Sequence, residues 1–251
     1  MYIESVKNKR VKQWKKLHTR KEREKTKTYL VESFHLVEEA LKSQADVKEL
    51  ILQEGISSQL VETFPEENVF TVTAEVAQAI SGTETTQGIF AVLSIPEIET
   101  IDFIAGPYLL LDRVQDPGNV GTMVRTAVAA GFAGVILGEG CADLYNAKTL
   151  RSAQGSHFHL NVIRQPLVEV IEFFKSEQVP VYGSALDEKA LSYTAVQKTE
   201  KFALIMGNEG QGISKDILDQ TTDNLYIPIK GRAESLNVAV AAGILMFELQ
   251  K

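Results

Sequence analysis

The sequence predicts an α/β protein in two parts, the second built on a mainly parallel sheet. Three observations lead there. Apolar runs of strand length alternate with helix-patterned segments along most of the chain. The second half opens with YLLLD (108–112), a short apolar run suited to a strand buried on both faces. A polar, Pro-containing stretch, IPEIETIDFIAGP (95–107), separates the halves and reads as a linker.

In the first half, TYLV (28–31) is predicted as a strand, FHLVEEALKS (34–43) as a helix and VKELILQ (47–53) as a strand. ENVFTVT (67–73) follows as a strand, AEVAQAI (74–80) as a short helix and GIFAVLS (88–94) as the closing strand, after the turn-rich SGTETTQG (81–88). About a hundred residues of this kind make an ordinary small domain. After YLLLD the second half predicts helix 119–130, strand GVILG (134–138), helix 146–154 and strand FHLNVI (158–163). Helix 167–177, strands VPVYGSA (179–185) and KFALIMG (201–207), helix 214–219, strand NLYIPI (224–229) and a last helix complete it. In that last helix Leu236, Val240, Ile244 and Phe247 keep helical spacing, which predicts its buried face.

Composition bounds the function. Of the 251 residues 44 % are hydrophobic and 24 % charged, as in a globular protein, and no apolar run reaches bilayer-spanning length. One cysteine, Cys141, excludes an internal disulfide framework and a Cys-based zinc site, and the four histidines lack metal-ligand spacing. A cytoplasmic protein with no metal and no membrane partner is expected. The net charge of −7 is unevenly spread: residues 1–28 hold 11 Lys or Arg against Glu4, Glu22 and Glu24, so the remainder is strongly acidic. A dense basic end on an acidic protein is suited to a polyanion. Val11, Trp14 and Leu17 recur at helical spacing between Lys12, Lys15 and Lys16, which predicts a helix packed by one stripe with its charges outward.

Chemistry concentrates where the second-half strands end, the edge on which α/β sheets bind ligands. DRVQDPGNVGTMVRTAVAAG (112–131) makes a turn and then a helix that starts near Asn119 and carries Arg125 about two turns in. GNEGQGIS (207–214) is glycine-rich with Glu209 as its charged group, and KGRAESLN (230–237) brings Ser235 and Asn237 to the start of the last helix. Each alone is an ordinary turn; Ser235, for instance, is also a good helix cap. Together they predict one polar rim without a catalytic His or Cys, which favours group transfer by positioning over hydrolysis through a nucleophile. A dinucleotide-dependent oxidoreductase is excluded for want of the glycine fingerprint after the first strand of either half.

The segments NVGTMVRTA (119–127), MGNEGQG (206–212) and IPIKGRAESLNVAVA (227–241) resemble, in order and spacing, the three motifs of the SpoU/TrmH family of the SPOUT superfamily. The basic start, LVESFHLVEEAL (30–41) and SGTETTQGIFAV (81–92) resemble the substrate-binding domain often fused ahead of it, with a ribosomal-protein L30e-like fold. The resemblance implies an L30e-like RNA-binding domain over residues 1–100 and a methyltransferase domain over 107–251 whose sheet is threaded into a trefoil knot. It implies S-adenosylmethionine as cofactor, a homodimer, and methylation of a ribose 2′-hydroxyl in RNA, with 23S ribosomal RNA favoured over tRNA. The alternatives are a tRNA enzyme and a non-catalytic RNA-binding or ribosome-assembly factor on the same fold.

By position, the resemblance puts the cofactor against Gly207, Ile227 and Leu236. Asn119, Arg125, Glu209, Ser235 and Asn237 take the polar catalytic and RNA-facing positions. Arg125 is protonated at every working pH, so its expected part is to stabilise the developing alkoxide, with Glu209 orienting it. One departure is Ala239, where many members have Ser.

Overall fold

The basic N-terminus folds because one stripe of it is apolar. After a two-residue strand β1 (Tyr2–Ile3), helix α1 (Lys9–Lys16) buries Val11 and Trp14, with Leu17 buried just beyond, while Lys12, Lys15 and Lys16 stay exposed. Asn8 caps it, its side chain accepting the Arg10 N–H at 2.8 Å. Glu49 ties it to the sheet: the carboxylate accepts from Trp14 Nε1 at 2.6 Å and pairs with Arg10, whose guanidinium stands 4.4 Å from the Phe70 ring centre. In α2 (Arg20–Thr26) the buried Arg23 donates to the Leu17 carbonyl at 2.6 Å. The predicted stripe is a packing surface, and the lysines remain free for another partner.

The structure is a computed structural model; it describes residues 1–62, 64–97, 103, 105–186 and 189–250. These form two units. The first continues with β2 (Thr28–Glu32), α3 (Phe34–Lys42), β3 (Val47–Gln53), α4 (Gln59–Glu62), β4 (Val69–Val72), α5 (Ala74–Ile80) and β5 (Ile89–Ser94). Its sheet has the order β1-β4-β3-β5-β2, parallel from β1 to β3 and antiparallel from β3 to β2. Each predicted strand and helix is present; β1 and α4 were too short to carry a periodic signal.

The second half contributes β6 (Tyr108–Leu111), α6 (Pro117–Ala129), β7 (Gly134–Leu137), α7 (Ala147–Ala153), β8 (Asn161–Arg164), α8 (Leu167–Ser176) and β9 (Val181–Ser184). Then come β10 (Leu191–Ser192), β11 (Ala203–Met206), α9 (Lys215–Leu218), β12 (Asp223–Tyr226) and α10 (Val238–Leu249). The seven strands form one wholly parallel sheet in the order β10-β12-β9-β11-β6-β7-β8. All four residues of β6 and of β11 are buried, as the apolar runs require of strands covered on both faces. The linker reading of 95–107 falls partly on residues 98–102 and 104, outside the described set.

Three expectations are corrected. The segment 158–163 begins as a 3₁₀ turn (Ser156–Phe158) and becomes strand only at Asn161. The strand read as 224–229 stops at Tyr226, so residues 227–237 are free to form a loop. In α10 the buried residues are Ala239, Ala242, Leu245, Met246 and Leu249, whereas Leu236, Val240 and Phe247 are 38 %, 54 % and 58 % exposed. The helix is apolar almost all round, so periodicity could not select the face; the small residues decide it, because they let α10 pack closely on α6, with Gly243 beside Thr126.

Tyr145–Phe158, in mid-sequence of the second half, belongs with the first unit. Leu150 of α7 joins the core of Tyr29, Leu36, Val37 and Leu93, and the Tyr145 ring lies 4.5 Å from that of Tyr29. Leu150→Ala is therefore expected to destabilise the first unit by about 2–5 kcal/mol, the cost of truncating a buried leucine. Native-state hydrogen exchange should show lowered protection in β2 and β5, with β6 and β11 unchanged.

Candidate active site

Three loops at the carboxyl ends of β6, β11 and β12 are built by local capping before they meet. Helix α6 starts where Asp116 accepts the Asn119 N–H at 2.9 Å and Pro117 occupies the first turn, where its missing N–H costs nothing. In the loop after β11, Asn208 is the organiser. Its Oδ1 accepts the N–H groups of Gly210 and Gln211, its backbone pairs with Gly212, and its Nδ2 donates to the Arg113 carbonyl at 2.9 Å. A Cβ at Gly207 would lie 2.2 Å from the Ile213 nitrogen, so only glycine lets this loop fold back on its own strand. The third loop ends at Asn237, whose Oδ1 accepts from the Ala239 and Val240 N–H groups and so caps α10.

Side chains from the three loops then form one hydrogen-bonded chain. Glu209 accepts the backbone N–H of Gln115 at 3.2 Å and of Asp116 at 3.1 Å, and the Nδ2 of Asn119 at 3.1 Å. Asn119 in turn accepts from Nδ2 of Asn237 at 3.0 Å. Burial raises the Glu209 carboxyl, but the bonds from Asn119, from the Asp116 N–H, from its own N–H and from Gln115 outweigh it and hold the group below its ordinary value. Glu209 stays ionised and acts as a fixed acceptor.

Of the residues singled out in the sequence, Asn119, Glu209 and Asn237 are thus in direct contact. Ser235, Ile227 and Leu236 line a neighbouring cleft of about 560 Å³, together with Ser184, Pro228 and Ala241. Gly207 is not among its lining residues; its lack of a side chain serves the loop fold. Arg125 lies on the exposed face of α6 with no hydrogen bond or ion pair to the described residues. The expectation that Glu209 orients Arg125 is corrected: the carboxylate is occupied by Asn119 and the 115–116 backbone. Asn208 escaped sequence reading, although Asn two residues before Gly in a turn is a signal for such self-bonding. The buried Asp112, which accepts the Ser214 N–H at 2.6 Å, has no such signal.

Comparison with known proteins agrees with this geometry. The model of the SpoU rRNA methylase family matches residues 106–247, which include all three loops. The chain belongs to that family. The model of an MRM3-like substrate-binding domain matches residues 8–91. The chain is 52 % identical over 250 residues to the 23S rRNA (guanosine(2553)-2′-O)-methyltransferase RlmP of Bacillus subtilis, covering 99 % of this chain and 98 % of that one. Among solved structures, an AdoMet-bound rRNA methyltransferase from Sinorhizobium meliloti superposes with TM-score 0.89 at 29 % identity, over 99 % of this chain and 97 % of its own. The SpoU methyltransferase AviRb from Streptomyces viridochromogenes, in complex with AdoMet, gives 0.85 at 25 % identity, over 97 % of each.

The depressed Glu209 carboxyl sets a sign. A group whose folded pKa is lowered contributes stability above its unfolded value and loses it as pH falls through the folded value. Protection of the 115–119 and 208–213 amides is therefore expected to stay constant from neutral pH down to the ordinary carboxyl value of 4.5, and to fall only below it. Glu209→Gln, which replaces the carboxylate by a neutral amide, should lower that protection at neutral pH and remove its fall in acid. Equal protection in the variant would show that the carboxylate does not hold the loops.

Proposed function

We propose that this member of the SpoU family transfers a methyl group from S-adenosylmethionine to the ribose 2′-hydroxyl of a guanosine in 23S ribosomal RNA, in the cytoplasm. The observation that carries this is the Glu209–Asn119–Asn237 chain, which joins the three motif loops beside a cleft of cofactor size. The RlmP relative, similar over nearly its whole length, supports the substrate. The cleft fits the cofactor in kind. Its volume lies in the range of small-molecule sites, Ile227, Pro228 and Leu236 offer apolar surface for a purine, and Ser184 and Ser235 offer hydroxyls.

When bound, the cofactor supplies an electrophilic methyl on a positive sulfonium. The chain's own task is to hold the ribose hydroxyl in line and stabilise the charge it develops. Asn119 and Asn237, fixed by Glu209 and by the α10 cap, act as rigid positioning groups, and Ser235 offers a hydroxyl from the wall of the cleft. Arg125 acts as a permanent positive charge and not as the base, since a guanidinium does not give up its proton in this range. The exposed lysines Lys12, Lys15 and Lys16 supply phosphate contacts.

Arg125 has no hydrogen bond or ion pair among the described residues, and α10 leaves Val240 and Phe247 exposed. Both features are accounted for if two copies associate through this helix and Arg125 serves a site completed by the second copy. Val240→Asp with Phe247→Asp should then yield a monomer in sedimentation velocity; an unaltered mass would remove α10 from the interface.

Transfer of labelled methyl to 23S rRNA, followed by mapping of the 2′-O-methylated nucleotide, tests the function. Arg125→Ala should lower transfer by roughly a hundredfold or more, the scale of one preorganised donor, and Arg125→Lys nearly as much. S-adenosylhomocysteine affinity should be unchanged in both. Methylation confined to tRNA, or none on any RNA despite RNA binding, would replace the reading by one of its alternatives.

A further inference from the structure

A second cleft, of about 380 Å³, opens at the carboxyl ends of β6 and β7 and is lined by Asp112, Arg113, Glu139, Gly140 and Asp216 among others. It lies on the strand-end edge that also carries the three motif loops, the usual place for a ligand. None of the chemistry above uses it.

Arg113 is built into this cleft with care. Its backbone is left-handed, φ +54, which side chains rarely tolerate, and its carbonyl is held by Asn208 Nδ2 from the motif loop. Its Nε donates to Oδ1 of the buried Asp112 at 3.3 Å and its Nη1 to Gln211 Oε1 at 3.4 Å. The stem passes over Gly140, where a Cβ would come within 3.2 Å of Arg113 Cγ. A guanidinium has five N–H groups, so about three remain for a ligand. Both oxygens of Asp112 are engaged, the second accepting the Ser214 N–H. Glu139 and Asp216 are exposed and carry no side-chain partner among the described residues.

Charge narrows the ligand. Three carboxylates against one guanidinium make the cleft net negative, which repels a phosphate. A neutral group is required that offers paired acceptors to arginine and paired donors to a carboxylate. Guanine meets both demands: O6 and N7 accept from a planar fork, and N1–H and the N2 amino group donate side by side. Adenine sets its one amino group between acceptors, cytosine sets its one amino group beside the N3 acceptor, and uracil has a single N–H donor, so none of them offers two adjacent donors. Sequence-specific reading of RNA uses such splayed, unpaired bases.

We infer that this cleft receives an unpaired guanine of the RNA substrate, at or next to the methylated nucleotide, with Arg113 donating to O6 and N7 and Glu139 accepting from N1–H and N2–H. The inference rests on the RNA methyltransferase reading and adds to it a specificity site.

Inosine, which lacks only the N2 amino group, tests it. Full-length protein is given S-adenosylmethionine and a 23S rRNA fragment containing the methylated guanosine, with inosine placed at that position or at each neighbouring guanosine in turn. For the unaltered protein, one placement should lower kcat/KM about tenfold, the scale of one lost base contact. Glu139→Gln should show a similar loss on guanosine RNA and no further loss on the inosine RNA, with S-adenosylhomocysteine binding unchanged as proof of folding. Equal rates on all inosine RNAs, or an inosine effect undiminished in Glu139→Gln, would overturn the proposal. Failure of the underlying function would look different: the unaltered protein would transfer no methyl to the guanosine RNA, and the inference would fall with it.

Discussion

Everything the candidate site can do depends on one carboxylate. Glu209 takes hydrogen bonds from two backbone N–H groups before α6 and from Asn119 within it, and Asn119 passes the connection to Asn237 at the head of α10. Loops that follow three separate strands, about ninety and thirty residues apart in sequence, therefore move as one piece. Such a chain is costly to leave half-satisfied and rigid when complete. It leaves Glu209 with no free role as a proton carrier. Its work is to keep two amide side chains in fixed orientation beside the 560 Å³ cleft.

The wholly parallel sheet is what brings those loops together. Parallel strands end on one edge, so motifs scattered along the sequence converge there without any long-range signal of their own. The same sheet explains the residues that are not chemistry. Gly207 is bare because its loop folds back within 2.2 Å of where a Cβ would stand, and Asn208 ties that loop to the Arg113 carbonyl. Substitutions at these positions are expected to displace Glu209 by disturbing the loop that carries it.

Much of this was legible in the sequence, for reasons that also mark the limits. Strands such as VKELILQ and YLLL declared themselves by apolar runs, and the basic helix by the spacing of Val11, Trp14 and Leu17. The motif loops were visible through glycine and small polar residues at strand ends. What could not be read was direction. In α10 apolar residues lie on every side, so the stripe of Val240 and Phe247 looked like core and is surface. Glu209 and Arg125 had opposite charges and a shared rim, yet the carboxylate chose backbone N–H groups and an amide, a preference set by three-dimensional proximity alone. The place of Leu150 in the first unit likewise depends on a segment that leaves one unit's sequence to pack in the other's core.

The central claim is that Asn119 and Asn237 act as a single linked unit held by Glu209. A double-mutant cycle measures this directly. Methyl transfer kcat/KM would be determined for Asn119→Ala, Asn237→Ala and the double variant. Linked residues should give a double variant scarcely worse than the more damaging single one, because either change already breaks the chain. Losses that multiply, each variant acting as though the other residue were absent, would contradict the account.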